Sequence, residues 1–217
     1  LSSLEALFTL GKPVVWPLHD MWAFTGGCHY SRGCERYTTH CSYCPLLRRP
    51  AADDLSYRIF EQKKRIFQRA NLTLVTPSEW LKGLTQQASL TAGVRTLAIP
   101  NTLDTGLFKP SDREQARAAL GLPSGTPLVL FASGSVQDPR KGFAYLREAV
   151  ASLRARLPEL GVVLVGKVPQ GFDTTLAVPT HCLGQLSDKS KLVAAYTASD
   201  ALVVPSLEDN LPNTIME

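Results

Sequence analysis

Short β-branched runs alternate with amphipathic stretches along the chain, a pattern that predicts parallel βα units. Val14-Val15-Trp16-Pro17-Leu18 reads as a buried strand ending at His19-Asp20. A helix is expected over 55–70, where Leu55, Ile59, Phe60, Ile66 and Phe67 fall largely on one face and Lys63, Lys64 and Arg69 elsewhere. Residues 72–75 read as a strand, and Ser78 as the N-cap of a helix that starts at Glu79. A further strand over 96–99 is closed by Pro100-Asn101.

The texture changes near residue 106. An Ala/Arg-rich helix over 113–120 is stopped by Gly121 and Pro123, and a fresh strand is expected over 127–132. A helix over 142–157, a strand over 161–166, a helix over 189–199 and a strand over 201–204 follow. The fold class is α/β in two units, 1–105 and 106–217. Open α/β sheets bind ligands beyond the carboxyl ends of their strands. The polar residues at those places are His19, Asp20, Ser78, Asn101, Ser133, Gly134, Lys141, Gly166, Asp209 and Asn210. Two such halves facing each other would enclose a cleft of the kind small ligands favour.

Composition narrows the class. Apolar residues are 44% and charged residues 19% of 217, which excludes a disordered chain or a collagen-like fibre. No apolar run reaches the roughly 18 residues of a membrane span. The chain starts at Leu1 without a secretory signal and ends on Thr214 to Glu217, which read as a helix just beginning, so it reads as an internal piece of a longer protein.

The net charge of +4 lies entirely in the first half, and Arg32 to Arg69 carries nine basic residues against Glu35, Asp53, Asp54 and Glu61. This stretch suits an anionic partner: lipid phosphate, a membrane surface, a phosphorylated substrate or nucleic acid. It equally suits a solvated helix face.

Cys28, Cys34, Cys41 and Cys44 are spaced C-x5-C-x6-C-x2-C, with His29 and His40 interleaved and Cys182 far away. In a chain without a secretory signal, four clustered thiols suggest a metal rather than disulfides. One closed structural zinc site is expected, with free thiols as the alternative, since only the last pair has zinc-knuckle spacing.

Five strand-end segments occur in a telling order: Leu18-His19-Asp20-Met21-Trp22-Ala23-Phe24-Thr25-Gly26-Gly27-Cys28, Val75-Thr76-Pro77-Ser78-Glu79-Trp80-Leu81, Ile99-Pro100-Asn101-Thr102-Leu103-Asp104 with Phe108, Asp138-Pro139-Arg140-Lys141-Gly142-Phe143, and Pro205 to Thr214. Together they resemble the group-1 glycosyltransferases, retaining family 4 with the GT-B fold, and most nearly the branch that builds colanic-acid-type and other exopolysaccharides. The resemblance implies two Rossmann-like domains facing a cleft, both incomplete here. Residues 1–105 would belong to the acceptor-side domain and 106–217 to the nucleotide-sugar domain.

It also implies roles. Lys141 would contact the donor diphosphate, where cations aimed at growing negative charge are the largest catalytic term. The family's upstream arginine is replaced by Gly134 and Ser135, with Arg140 the nearest substitute. The E-x7-E pair maps onto Asp209 and Glu217, with Glu208 able to share the first position. The first carboxylate would bind donor sugar hydroxyls and the second the ribose. Asn210, Leu211, Pro212, Asn213 and Thr214 would offer backbone N–H groups at a helix start, against the plainer reading of capping by Asp209 or Asn213. His19 would face the sugar and act with Asp209 and Glu217 as the catalytic set, although a lone His after an apolar run is often structural. Asn101, Asp104 and Asp200 read as structural.

The implied substrate is a UDP- or GDP-linked sugar, with no catalytic metal. The acceptor would be a saccharide or a polyprenyl-diphosphate-linked saccharide. The expected location is cytoplasmic, at the inner face of the plasma membrane through anionic lipid, without nucleic acid. The alternatives are a zinc-bearing module for nucleic acid or protein, and a nucleotide-sugar epimerase of the same fold.

Overall fold

The computed structural model describes residues 2–68 and 70–217 and divides them into two compact units, Leu1–Asn101 and Thr102–Glu217. The division comes slightly before the change of texture at 106. Ile99 still donates its N–H to Thr76 O (2.8 Å), which ties it to the first sheet. Asp104 opens the second unit by accepting from Gly106 N (2.9 Å) in a new turn.

The first unit contains α1 (Ser2–Thr9), β1 (Val14–Pro17), α2 (Leu55–Phe67), β2 (Leu72–Thr76), α3 (Glu79–Gln87) and β3 (Arg95–Ala98). Its sheet is parallel in the order β1-β2-β3, with Val14 opposite Leu72 and Val75 opposite Leu97. Leu72, Leu74 and Thr76 of the central strand are buried, and the two leucines join Met21, Phe24, Phe60, Phe67 and Leu81 in one core. Fully burying such Leu or Phe side chains contributes roughly 1.5–3 kcal/mol each. The Ser78 hydroxyl caps α3 by accepting from Leu81 N (3.1 Å), as the sequence suggested.

Three expectations need correction. β1 is not a buried strand: it pairs on one side only among the described residues, its side chains alternate, and Val15 is 65% exposed. In α2, Phe60, Ile66 and Phe67 are buried as expected, but Leu55 is 59% exposed and Lys63 is fully buried. The long loop 18–54 covers the Lys63 side of the helix, so α2 has two buried faces, which a single-stripe reading overlooks. Arg69 lies outside the described residues. α1 was not anticipated; its Phe8 packs edge-on against Phe67 with ring centroids 6.1 Å apart.

The second unit contains α4 (Arg113–Leu120), β4 (Leu128–Ser135), α5 (Phe143–Leu153), β5 (Gly161–Lys167), β6 (Thr180–Gly184), α6 (Lys189–Ala198), β7 (Ala201–Leu202) and α7 (Asn213–Met216). Its sheet is parallel in the order β6-β5-β4-β7. Residues of β5 alternate between two cores: Val162 and Leu164 join Phe131, Phe143 and Leu146, while Val163 and Val165 join Leu128, Leu130 and Ala195. Burial on both faces is what a parallel central strand requires. α5 stops at Leu153 rather than 157, and residues 154–156 form a turn ahead of Pro158. β6 was not anticipated.

One buried cation ties the ends of this unit together. Arg117 donates to Ala198 O (2.9 Å) and to Asp200 Oδ2 (3.0 Å), and Arg113 donates to Asp200 Oδ1 (2.6 Å). Asp200 also accepts from Leu128 N (2.8 Å), the first residue of β4. That N–H and the two arginines hold its carboxyl below the usual range despite partial burial.

Candidate active site

The strand order fixes where a ligand site belongs. From β4 the chain adds β5 and β6 on one side, then returns to place β7 on the other. The space between β4 and β7, at their carboxyl ends, is therefore a topological switch point, the position that ligands favour in open α/β sheets. Gly134, Ser135 and the turn 138–142 leave β4 at that end, and residues 205–213 follow β7 there.

The two segments are bound tightly to each other. Gly142 has φ +77, and a Cβ on it would lie 2.1 Å from Pro205 O, so no other residue fits this approach. Asp138 caps the short 3-10 turn Pro139–Lys141 by accepting from Arg140 N (3.0 Å). Arg140 spans the two segments. Its O accepts from Leu207 N (2.9 Å), and its guanidinium donates to Glu208 O (2.9 Å) and to Asp138 Oδ2 (3.0 Å). Lys141 Nζ donates to Asp209 Oδ2, and Arg140 Nη1 lies 3.8 Å from Asp209 Oδ1. Asp209 Oδ1 also accepts from Asn210 N (3.1 Å). Asn210 is buried, and Leu211 takes a left-handed φ of +45, unusual for a branched residue.

The structure therefore brings Arg140, Lys141, Glu208, Asp209 and Asn210 together. Gly134 and Ser135 end β4 on the strand that feeds this turn. Pro212 precedes α7, which holds Asn213 and Thr214. Glu217 is elsewhere: its Oε2 accepts from Tyr196 OH (2.8 Å) beside a cavity of about 330 Å³ that Lys109 also lines. Burial, the hydrogen bond to Glu217 and its charge together push the Tyr196 hydroxyl well above its usual range. His19 is exposed just beyond β1 in the first unit. Its neighbour Asp20 accepts from Trp22 N (2.7 Å) and pairs with His29 Nδ1 (2.7 Å).

One strand-end residue named from the sequence had no role assigned to it. Ser133 Oγ is buried without a hydrogen-bond partner among the described residues. Its O lies so close to Gly166 (φ +142) that a Cβ there would approach within 2.1 Å. The only signal in the sequence was its place at the end of a strand.

Residues 126–217, which hold this whole arrangement, match the family Glycosyl transferases group 1. This stretch is similar to group 1 glycosyltransferase domains. WcaC of Escherichia coli (strain K12), named for glycosyl transfer in colanic acid biosynthesis, is 27% identical over 215 residues, covering 94% of this chain and 49% of WcaC. The D-inositol 3-phosphate glycosyltransferase of Nocardioides sp. (strain ATCC BAA-499 / JS614) is 46% identical over 93 residues, 43% of this chain and 20% of that protein. The chain thus spans about half the length of WcaC or less of such relatives.

Among solved structures, WaaG, a glycosyltransferase involved in lipopolysaccharide biosynthesis, superposes with a TM-score of 0.64 at 18% identity over 99% of this chain and 59% of WaaG. Anabaena HepE, solved with UDP and glucose, gives 0.64 at 19% identity over 98% of this chain and 52% of its own. The chain has the GT-B fold.

Proposed function

We propose that the whole protein is a retaining glycosyltransferase that moves a sugar from a nucleoside-diphosphate donor to a saccharide acceptor in polysaccharide biosynthesis. The observation that carries this reading is the Arg140–Lys141 turn, locked onto the 205–210 loop at the switch point of a group 1 domain. A diphosphate leaving group needs fixed cations, and these two are held by backbone contacts before any donor arrives. In the free protein Lys141 pairs with Asp209. In this reading a diphosphate on Lys141 and sugar hydroxyls on Asp209 replace that pair when the donor binds.

In this reading Gly134, Ser135 and the backbone N–H groups of Asn210, Leu211, Asn213 and Thr214 complete the donor pocket, with Glu208 and Pro212 shaping its wall. Glu217 binds the donor ribose once it leaves Tyr196. His19 hydrogen-bonds the donor sugar near the reacting carbon. A contact that strengthens as the sugar becomes oxocarbenium-like raises turnover more than affinity. His19→Ala in the full-length protein is therefore expected to lower kcat with little change in donor KM. A lowered Tm with normal turnover per folded molecule would make His19 structural and remove it from the mechanism.

The acceptor side is supported by Arg48, Arg49 and Arg58, exposed around an open hollow of about 740 Å³. Leu46, Tyr43 and Tyr57 are exposed nearby in sequence. Basic side chains among exposed apolar ones suit a lipid-linked diphosphate at an anionic membrane face, with about 1 kcal/mol gained per Lys or Arg near the surface. Co-sedimentation of the full-length protein with vesicles is expected to require anionic lipid and to weaken with salt. Equal partitioning onto neutral vesicles would remove the membrane from the account. Among the described residues no helix is long and apolar enough to cross a bilayer.

A further inference from the structure

Between β1 and α2, residues 18–54 carry no regular element except the 3-10 turns Trp22–Phe24 and Arg36–Thr38. Ordered connections of such length are uncommon in compact domains and usually serve a function. Met21, Phe24 and Tyr37 of this one are buried in the core of the first unit. Four of the five cysteines lie in it. Cys28, Cys34, Cys41 and Cys44 all line one cavity of about 30 Å³, while Cys182 is exposed on β6. The free space is that of one or two water-sized spheres, enough for a single ion.

Three further observations bear on that cavity. Tyr43, between Cys41 and Cys44, has φ +46, and Arg32 and Gly33, just before Cys34, have φ +51 and +80. A left-handed non-glycine residue costs roughly 1–2 kcal/mol and persists only where its surroundings hold it. Here Asp54 Oδ2 accepts from Cys44 N (2.8 Å), and Tyr43 N donates to Ala51 O (2.9 Å). Next, Cys41 Sγ accepts from Gly26 N (3.2 Å), the kind of backbone donor that stabilises a ligating sulfur. Gly26 must be glycine, since a Cβ would lie 2.6 Å from Ser56 O and 2.8 Å from Cys41 Cβ. Finally, the ammonium of fully buried Lys63 donates to Trp22 O and to Thr25 O (3.0 Å) and lies 3.7 Å from the Trp22 ring centroid. Thr25 in turn donates its hydroxyl to Cys28 O (2.7 Å), which places the ammonium beside the cysteine loop. A buried ammonium is costly unless negative charge lies close by.

The interleaved histidines are engaged elsewhere. His29 Nδ1 pairs with Asp20 and His40 Nε2 with Glu61 (2.8 Å). Among the described residues no three His, Cys, Asp or Glu side chains already stand in a metal-ligating arrangement. Closing on an ion therefore means drawing the four sulfurs inward across the small cavity. We infer that Cys28, Cys34, Cys41 and Cys44 bind one Zn²⁺ as a closed structural site that pins the loop after His19-Asp20. Each thiol loses its proton on coordination, so the tetrathiolate site carries two net negative charges, and Lys63 is the buried cation beside it. Four sulfurs at about 2.3 Å complete the tetrahedron and leave no position for substrate. This inference does not depend on the glycosyl-transfer reading.

The test is metal analysis of the full-length protein, purified without a His-tag from zinc-supplemented medium. About one zinc per chain is expected, released by a mercurial thiol reagent, with Tm falling when a strong chelator is added. Cys182→Ser should keep the zinc and Cys44→Ser should lose it. Should Cys44→Ser fail to fold, Co²⁺-loaded wild-type protein should show the sulfur-to-cobalt charge-transfer band and tetrahedral d–d absorption. Negligible zinc with four titratable loop thiols would overturn the inference, as would a mass corresponding to two disulfides, or bound iron with acid-labile sulfide.

Discussion

Lys141→Ala in the full-length protein is expected to lower turnover about 10²–10³-fold at saturating donor, a loss of roughly 3–4 kcal/mol. The side chain is positioned without help from substrate: Asp138 caps its turn, Arg140 docks the turn on residues 207–208, and Gly142 lets the backbone approach Pro205. Removing Lys141 therefore removes a charge while leaving its frame in place, and Tm should move little. Arg140→Ala is less clean, because its guanidinium also holds Glu208 O. Lys141→Arg should not restore full activity, since a planar fork does not replace a compact ammonium at one phosphate oxygen. Normal turnover of Lys141→Ala with saturating donor would remove this residue from the chemistry.

Arg117→Ala is expected to have the largest effect on stability, about 3 kcal/mol in the unfolding free energy of the second unit. Its side chain is 2% exposed and holds Ala198 O, Pro123 O and Asp200, which links α4, the end of α6 and the start of β4. Breaking a buried pair by removing one partner costs roughly 3–5 kcal/mol. The lower figure applies here, because Asp200 is 37% exposed and keeps Arg113 and Leu128 N as partners. Arg113→Ala, which breaks a solvent-exposed pair, should cost only about 0–1 kcal/mol. Urea unfolding of the two variants compares them directly, and equal midpoints would contradict the assigned role of Arg117.

The sequence made most of the second unit legible. α4 was readable at both ends, because Asp112 caps it by accepting from Gln115 N (2.7 Å) and Gly121 ends it with φ +65. Local signals of this kind do not depend on what packs nearby. The Lys141–Asp209 pairing was not stated in advance, but both residues were placed at strand ends by pattern, and the parallel sheet brings those ends together. What stayed hidden depends on tertiary cover. Lys63 looked solvent-facing because helical periodicity cannot see a long loop folding over a second face. Arg117 looked like one charge among many on an Ala/Arg helix, and its burial follows from the distant Ala198 and Asp200. Glu217 could be placed by spacing relative to Asp209, yet spacing says nothing about Tyr196, which takes its hydrogen bond.

The central claim, that the turn at Arg140–Lys141 holds a nucleoside diphosphate, is tested most directly by calorimetric titration of UDP and of GDP into the full-length protein and its Lys141→Ala variant. The account predicts that one of the two nucleotides binds with a stoichiometry of about one, and that a lost charge-assisted phosphate contact of roughly 1.5–3 kcal/mol weakens the variant about 10- to 100-fold. Binding of neither nucleotide to the wild-type protein, or equal binding by wild type and variant, would contradict it.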